Sequence, residues 1–202
     1  MGSTIKNIIF DFGGVLMDWN PRYLYRSLFD DPEKMEFFLE NICTSEWNEQ
    51  QDAGRSLGEA TRSLQSEFPE YADLIQKFYG EWSVMLKDQI HANTSLLPLL
   101  RERGYRLFGL TNWSHETLPT AKNRYNFFEN FEGIVVSGEE KMIKPDEGIY
   151  RVLLERYKLR AEESLFIDDN SKNIATAHRL GFRTIHYAEQ SLTEDLQNLR
   201  VL

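Results

Sequence analysis

The stretch Ile8-Ile9-Phe10-Asp11-Phe12-Gly13-Gly14-Val15 decides the reading of this chain. An apolar run without polar alternation is what a parallel strand buried on both faces requires. The acid and glycines that close it mark the strand's carboxyl end opening into a loop. Three later segments have the same build. Leu107-Phe108-Gly109-Leu110 runs into Thr111-Asn112, Ile134-Val135-Val136 leads to a loop reaching Lys144-Pro145, and Leu165-Phe166-Ile167 ends in Asp168-Asp169. In an open α/β sheet the carboxyl ends of neighbouring strands face one crevice, so polar groups distant in sequence converge there. The four strand ends therefore define a candidate active site.

Strand patterns fall at residues 6–14, 105–110, 133–137, 164–167 and 182–187, and helical patterns lie between them. Leu96-Leu97 and Leu99-Leu100, followed by Gly104, read as an amphipathic helix with a glycine cap. Ile149, Val152, Leu153 and Tyr157 share one helix face, and Ile174, Ala177 and His178 another that ends at Gly181. This alternation predicts an α/β fold, a Rossmann-like parallel sheet core with helices on both faces. Residues 18–92 break the rhythm. Their apolar and aromatic residues recur at helical spacing with no convincing strand, so an all-helical cap domain is expected at 18–92 and the core at 1–17 and 93–202.

With 202 residues the chain can bury one core plus a small insertion. Its formal charge of -9 opposes a nucleic-acid or anionic-membrane partner, because no basic stripe exists to neutralise phosphates. No apolar run approaches membrane-spanning length. The single cysteine, Cys43, and the absence of a cleavable signal pattern point to the cytoplasm. No feature of the sequence specifies an oligomeric state.

The ordered set Asp11-Phe12-Gly13-Gly14-Val15, Thr111-Asn112, Lys144-Pro145-Asp146 and Asp168-Asp169-Asn170-Ser171-Lys172-Asn173 resembles the haloacid dehalogenase superfamily of hydrolases, with a helical cap between the first two pieces. Asp-Phe-Gly-Gly-Val and Asp-Asp-Asn-x-x-Asn bring it nearest to a branch that includes glucose-1-phosphate phosphatases. The resemblance implies a Mg²⁺-dependent phosphomonoesterase acting on a small, sugar-type phosphorylated substrate. Asp11 would be the nucleophile that forms an aspartyl-phosphate, and Lys144 would offset charge in the transition state. Thr111 and Asn112, with Lys144, would bind phosphate. Mg²⁺ would be held by Asp11, Asp168, Asp169 and the backbone carbonyl of Gly13, with Ser171 and Asn173 orienting the acidic loop. Helix capping by Asp168 or Asp169 is a further reading of that doublet.

At Gly13 the chain departs from most phosphatases of the superfamily, which carry there a second Asp that protonates the leaving alcohol. General acid–base help is worth roughly 10²- to 10⁴-fold. The expected remedies are a substrate whose leaving group needs less protonation, or a relay through water or a cap residue, with Glu46, Glu49 and Asp52 as candidates. Trp19, Trp47 and Trp113 are expected to flank the substrate pocket, and Arg55 to reach a substrate hydroxyl or phosphate or to form a surface ion pair. His91, His115, His178 and His186 lack metal-ligand spacing, and Cys43 reads as a small buried apolar group. Two alternatives stand beside the phosphatase. One is a metal-free 2-haloacid dehalogenase, opposed by the Asp168-Asp169 doublet because its halide leaving group requires no cation. The other is a non-catalytic module that binds a phosphorylated ligand.

Overall fold

A computed structural model describes residues 4–188 and 191–202. Strand β1 (Asn7–Phe10) is buried throughout, as its unbroken apolar run requires. After it come β2 (Met17–Trp19), then α1 (Arg22–Tyr25), α2 (Pro32–Asn41), α3 (Ser45–Asp52), α4 (Leu57–Glu67), α5 (Ala72–Gly80) and α6 (Trp82–Met85), then β3 (Leu86–Gln89). The remainder alternates: α7 (His91–Thr94), α8 (Leu96–Glu102), β4 (Arg106–Thr111), α9 (Leu118–Arg124), β5 (Gly133–Val136), α10 (Ser137–Glu140), α11 (Glu147–Tyr157), β6 (Ser164–Asp168), α12 (Ser171–Arg179), β7 (Arg183–His186) and α13 (Leu192–Asn198).

The main sheet has the order β5-β4-β1-β6-β7 and every pair in it is parallel. The chain builds outward from β1 through β4 to β5, then crosses to add β6 and β7 on the other side. The direction of winding therefore reverses between β1 and β6, and a crevice opens there at the carboxyl ends. Alternate strand residues face opposite layers. Ile8, Phe10, Leu107 and Ile167 pack with Leu97, Leu100 and Phe128, whereas Ile9, Phe108 and Phe166 pack with Ile149, Tyr150, Leu153 and Ala177. Helices thus cover both faces, as the sequence predicts. The glycines expected to cap helices adopt the left-handed conformation such caps use, with φ of 88° at Gly104 and 94° at Gly181.

The insertion is helical from Arg22 to Met85 and carries its own aromatic packing: Tyr25, Phe38, Trp47 and Phe78 are buried against one another. One expectation fails at its base. The sequence pattern predicts no strand in the insertion, yet β2 and β3 pair antiparallel into a two-stranded ribbon at its two ends. The ribbon carries the chain out of the core and back, and it sets Trp19 beside the crevice. Among the described residues no helix is long and apolar enough to cross a membrane.

Candidate active site

The backbone N–H of Asp11 donates to the Ile167 carbonyl at 2.9 Å, extending the β1–β6 ladder by one residue so that Asp11 and Asp168 emerge side by side. Phe12 anchors the turn that follows. Its ring is fully buried and meets Phe128 and Phe131 edge-on at 5.3 Å. Gly109 on β4 makes room for it, because a Cβ there would lie 2.5 Å from Phe12 Cζ. The Phe12 N–H donates to Asp11 Oδ1 at 2.7 Å, which fixes the carboxylate plane. Gly14 is required twice over: its φ is +70°, and a Cβ would stand 2.1 Å from Asp169 Oδ2.

Lys144, fully buried at its side chain, lies 2.9 Å from Asp11 Oδ1 and 2.7 Å from Asp168 Oδ2. Asn112 sets its position. The Asn112 amide donates to the Lys144 carbonyl at 2.9 Å and accepts from the Lys144 N–H at 2.8 Å. The Asn112 side chain is thus engaged with the backbone of Lys144. Asp168 is held from behind by Asn173 Nδ2, at 3.0 and 3.1 Å from its two oxygens, and by the Asn170 N–H at 2.8 Å. Helix α12 is capped by Asn170, whose side chain accepts from the Lys172 N–H, so neither acid of the doublet serves as the cap. Ser171, expected to orient this loop alongside Asn173, is exposed and makes no side-chain hydrogen bond among those of the described residues. His186 Nε2 instead meets the Asp169 carbonyl at 2.9 Å.

Burial pushes Asp11 up to about 7, against the pull of Lys144 and with a further push from Asp168 and Asp169. Asp169 is likewise raised, by burial and then by Asp168. Burial works against the Lys144 ammonium, but Asp11 and Asp168 outweigh it and hold the lysine above its ordinary value. Carboxylate oxygens of Asp11, Asp168 and Asp169 lie within 4.8 Å of one another. Three carboxylates facing one ammonium leave two negative charges when all are ionised, and hard oxygen donors with that excess fit a divalent cation such as Mg²⁺. Thr111 Oγ1 is buried without a hydrogen-bond partner. An orphaned hydroxyl is costly in a native interior unless a ligand completes it, and a phosphate oxygen would do so.

Between this cluster and the cap lies a pocket of about 630 Å³ lined by Gly13, Met17, Trp19, Asn112 and Trp113 from below and by Asn48, Asp52, Tyr79 and Trp82 from the cap. Trp19 and Trp113 stand where the sequence places them. Trp47 does not line it: its ring packs on Phe78 and Tyr79 within the cap core, 5.2 and 5.3 Å away. The wall is completed by Trp82, which lies 5.8 Å from Trp113, and by Tyr79. Spacing alone does not single them out, because a step of one residue turns a helix by about 100° and so separates a core residue such as Phe78 from a wall residue such as Tyr79. Of the three cap acids, Asp52 faces this pocket while Glu46 and Glu49 line a separate surface depression. Arg55 hydrogen-bonds the neutral Gln50 at 3.0 Å rather than forming the expected surface ion pair, and Cys43 is buried with its thiol pushed up by desolvation, as a small apolar group would be.

A crevice able to hold a cation and an anionic group against a carboxylate, at the switch point of a doubly wound sheet, is the equipment of a Rossmann-like hydrolase. The chain belongs to the haloacid dehalogenase-like hydrolases, whose family profile matches residues 8–187. It is 28% identical over 194 residues to the sesquiterpene phosphatase astK of Aspergillus oryzae, covering 96% of this chain and 95% of that protein. Among solved structures it resembles a predicted HAD-like family hydrolase from Porphyromonas gingivalis, with a TM-score of 0.75, 27% identity, and 98% and 99% of the two chains covered. It also resembles a HAD family enzyme from Bacteroides thetaiotaomicron in complex with magnesium and inorganic phosphate, with a TM-score of 0.70, 25% identity, and 94% and 98% covered.

Proposed function

We propose that the chain is a Mg²⁺-dependent phosphomonoesterase that hydrolyses a small organic phosphate through an aspartyl-phosphate on Asp11. One observation carries this reading. Asp11 Oδ1 is pinned by Lys144 Nζ and the Phe12 N–H, which leaves Oδ2 for attack, and the nearby Thr111 hydroxyl lacks a partner that a phosphate oxygen would supply. Asp11, Asp168, Asp169 and the carbonyl of Gly13 would hold Mg²⁺, which screens the repulsion between the anionic nucleophile and the anionic phosphate. Lys144 offsets charge that builds on the transferring group, and Thr111 with the backbone at Asn112 orients it. A cap at 18–92 seated over a core at 1–17 and 93–202 shields the reacting group from bulk water.

For the leaving group, a sugar-type ring suits a pocket with indole walls and an Asn48–Asp52 edge, since a sugar presents both a C–H face and hydroxyls. A second reading, the phosphate of an apolar alcohol, is favoured by the preponderance of Trp19, Trp82, Trp113, Tyr79 and Met17 in the wall and by the similarity to a sesquiterpene phosphatase. The charge excess of the acidic cluster disfavours a metal-free dehalogenase, and a non-catalytic module would have no use for an oriented Asp11. The test is phosphate release from 4-nitrophenyl phosphate with Mg²⁺ and with EDTA, plus acid-quench mass spectrometry for a phosphorylated Asp11 peptide. Turnover should require Mg²⁺ and vanish in Asp11→Asn. Metal-free chloride release from 2-chloropropionate would support the dehalogenase, and phosphate-ligand binding without any turnover the binding module. A panel of sugar phosphates against prenyl phosphates separates the two substrate classes.

A further inference from the structure

An alkyl alcohol leaves poorly as an anion, so efficient hydrolysis needs a proton donor at the departing oxygen, and the same group then serves as base toward the attacking water. Gly13 supplies no side chain, although the space beside it is open, with nothing within 4 Å of a Cβ built there. The residues lining the pocket offer two titratable groups, Asp52 and Tyr79. The Tyr79 hydroxyl is committed, donating to Asn48 Oδ1 at 2.9 Å and accepting from Gln51 Nε2 at 3.1 Å. We propose that Asp52 protonates the departing alcohol and then accepts a proton from the hydrolytic water, supplying from the cap what position 13 lacks. The proposal rests on the phosphatase reading above.

Asp52 is built into place rather than left at a surface. It closes α3, and its backbone carbonyl accepts from Ser137 Oγ at 2.5 Å while that hydroxyl accepts from the Trp113 N–H at 2.9 Å, so the end of the cap helix is tied to the loop that carries Asn112. Its carboxyl is oriented by a relay in which Gln51 donates to Tyr79, Tyr79 to Asn48, and Asn48 Nδ2 to Asp52 Oδ2 at 3.1 Å. Burial pushes this carboxyl up to about 7, with a backbone hydrogen bond at Ser114 pulling down and Glu49 adding a smaller push. The other titratable or charged groups on the elements packed against it are Tyr79, His115, Glu116, Glu139, Glu140 and Lys141. An acid poised there is protonated for the first step and ionised for the second near neutral pH.

The steps balance. An Asp11 carboxylate oxygen bonds to phosphorus, the phosphorus–alcohol oxygen bond breaks, and the alkoxide takes the Asp52 proton. Water then attacks the aspartyl-phosphate, gives a proton to the Asp52 carboxylate, and the phosphorus–Asp11 oxygen bond breaks, regenerating the Asp11 carboxylate and the Asp52 acid and releasing inorganic phosphate.

The experiment compares wild type and Asp52→Asn on 4-nitrophenyl phosphate, whose leaving group departs unaided, and on an alkyl phosphate such as hexyl phosphate. Asp52→Asn should release one equivalent of nitrophenolate in a burst and then turn over about 10²- to 10⁴-fold slower than wild type, because only the water step needs the base. Hexyl phosphate should show the same loss with no burst. Wild-type kcat/KM for hexyl phosphate should fall above about pH 7, and this limb should be missing in the variant. Asn48→Ala, which removes a donor to the ionised carboxylate, should move the limb to higher pH. It also keeps the idea testable where Asp52→Asn folds poorly. Equal losses on both substrates without a burst, an unmoved limb in Asn48→Ala, or no loss at all would overturn the proposal. If wild type itself shows no Mg²⁺-dependent turnover of the aryl phosphate, the phosphatase reading fails and the proposal with it.

Discussion

Replacing Lys144 by Met removes the ammonium that lies 2.9 Å from Asp11 and 2.7 Å from Asp168 and leaves a side chain of similar length in a fully buried position. Breaking a buried pair by deleting one partner costs about 3–5 kcal/mol, because the remaining charge is uncompensated. For a chain of this size each kcal/mol lowers Tm by roughly 2–4 °C, so a fall of about 6–20 °C is expected at pH 8. The deficit should shrink at pH 5. Asp11 already has a folded value raised to about 7, and Lys144 is one of the influences holding it down, so without the lysine it rises further. A carboxyl raised in the folded state favours folding below its unfolded value and loses that contribution as pH climbs through the folded one. The variant should therefore unfold near the wild-type temperature in acid and well below it in base. It should also lean on the metal. Without the ammonium, the three carboxylates should bind Mg²⁺ more tightly than in the wild type, and a ligand at a hundred times its Kd contributes about 2.7 kcal/mol. Thermal melts at pH 5 and 8, each with and without Mg²⁺, decide the matter. Equal losses at both pH values, or no larger Mg²⁺ shift in the variant than in wild type, would refute the reasoning.

Thr111→Val should move stability and function in opposite directions. Removing a buried hydroxyl without a partner should leave stability unchanged or raised by about 1 kcal/mol, whereas losing a donor to a charged phosphate oxygen should weaken inorganic phosphate inhibition by about 10- to 100-fold. Parallel losses in both would show the hydroxyl to be structural. Gly14→Ala combines a φ of +70° with a clash against Asp169 Oδ2, and should cost about 1–3 kcal/mol while reducing the Mg²⁺-induced rise in Tm. An unaltered Mg²⁺ response in that variant would show that Asp169 takes no part in holding the cation.

The inner strands of the main sheet were legible because they carry apolar runs, a pattern that burial on both faces rewards, and because each run ends in a polar signal, whereas the edge strand β7 buries only Ile185. Asp11, Thr111, Asp168 and Asp169 could be picked out for the same reason, since each stands at or next to a strand's carboxyl end, whereas Lys144 lies in the loop beyond β5 and α10. The ribbon was hidden. Met17–Trp19 and Leu86–Gln89 are too short to show a period, and each becomes a strand only by pairing with the other across the whole cap. The expectation for Trp47 failed for a related reason. Trp47 and Trp82 both sit on cap helices, and which one faces the pocket depends on packing between helices, where Phe78 and Tyr79 claim Trp47. Around the acidic loop the composition was readable and the roles only partly: Asn173 meets Asp168 as expected, while Ser171 does not. Asn170 caps, Asn173 binds Asp168 and Ser171 does neither, because a shift of one position along the first turn of a helix redirects a side chain by about 100°.

The supporting residues of the site share one property that bears on its chemistry. Asn112 fixes Lys144, Asn173 and the Asn170 N–H fix Asp168, and the Phe12 N–H fixes Asp11, so that, Lys144 itself apart, these groups that position charged atoms are neutral. A scaffold that used arginines for the same task would cancel the negative excess of the three carboxylates and with it the reason for a cation to bind. Amides impose geometry without altering that balance. The two charges left over after Lys144 is counted thus remain available to a dication. A dication placed there is in turn what allows a carboxylate to approach a phosphate dianion. The orienting relay that ends on Asp52 has the same character, built from Gln51, Tyr79 and Asn48, so that burial rather than a neighbouring countercharge is the chief influence on that acid.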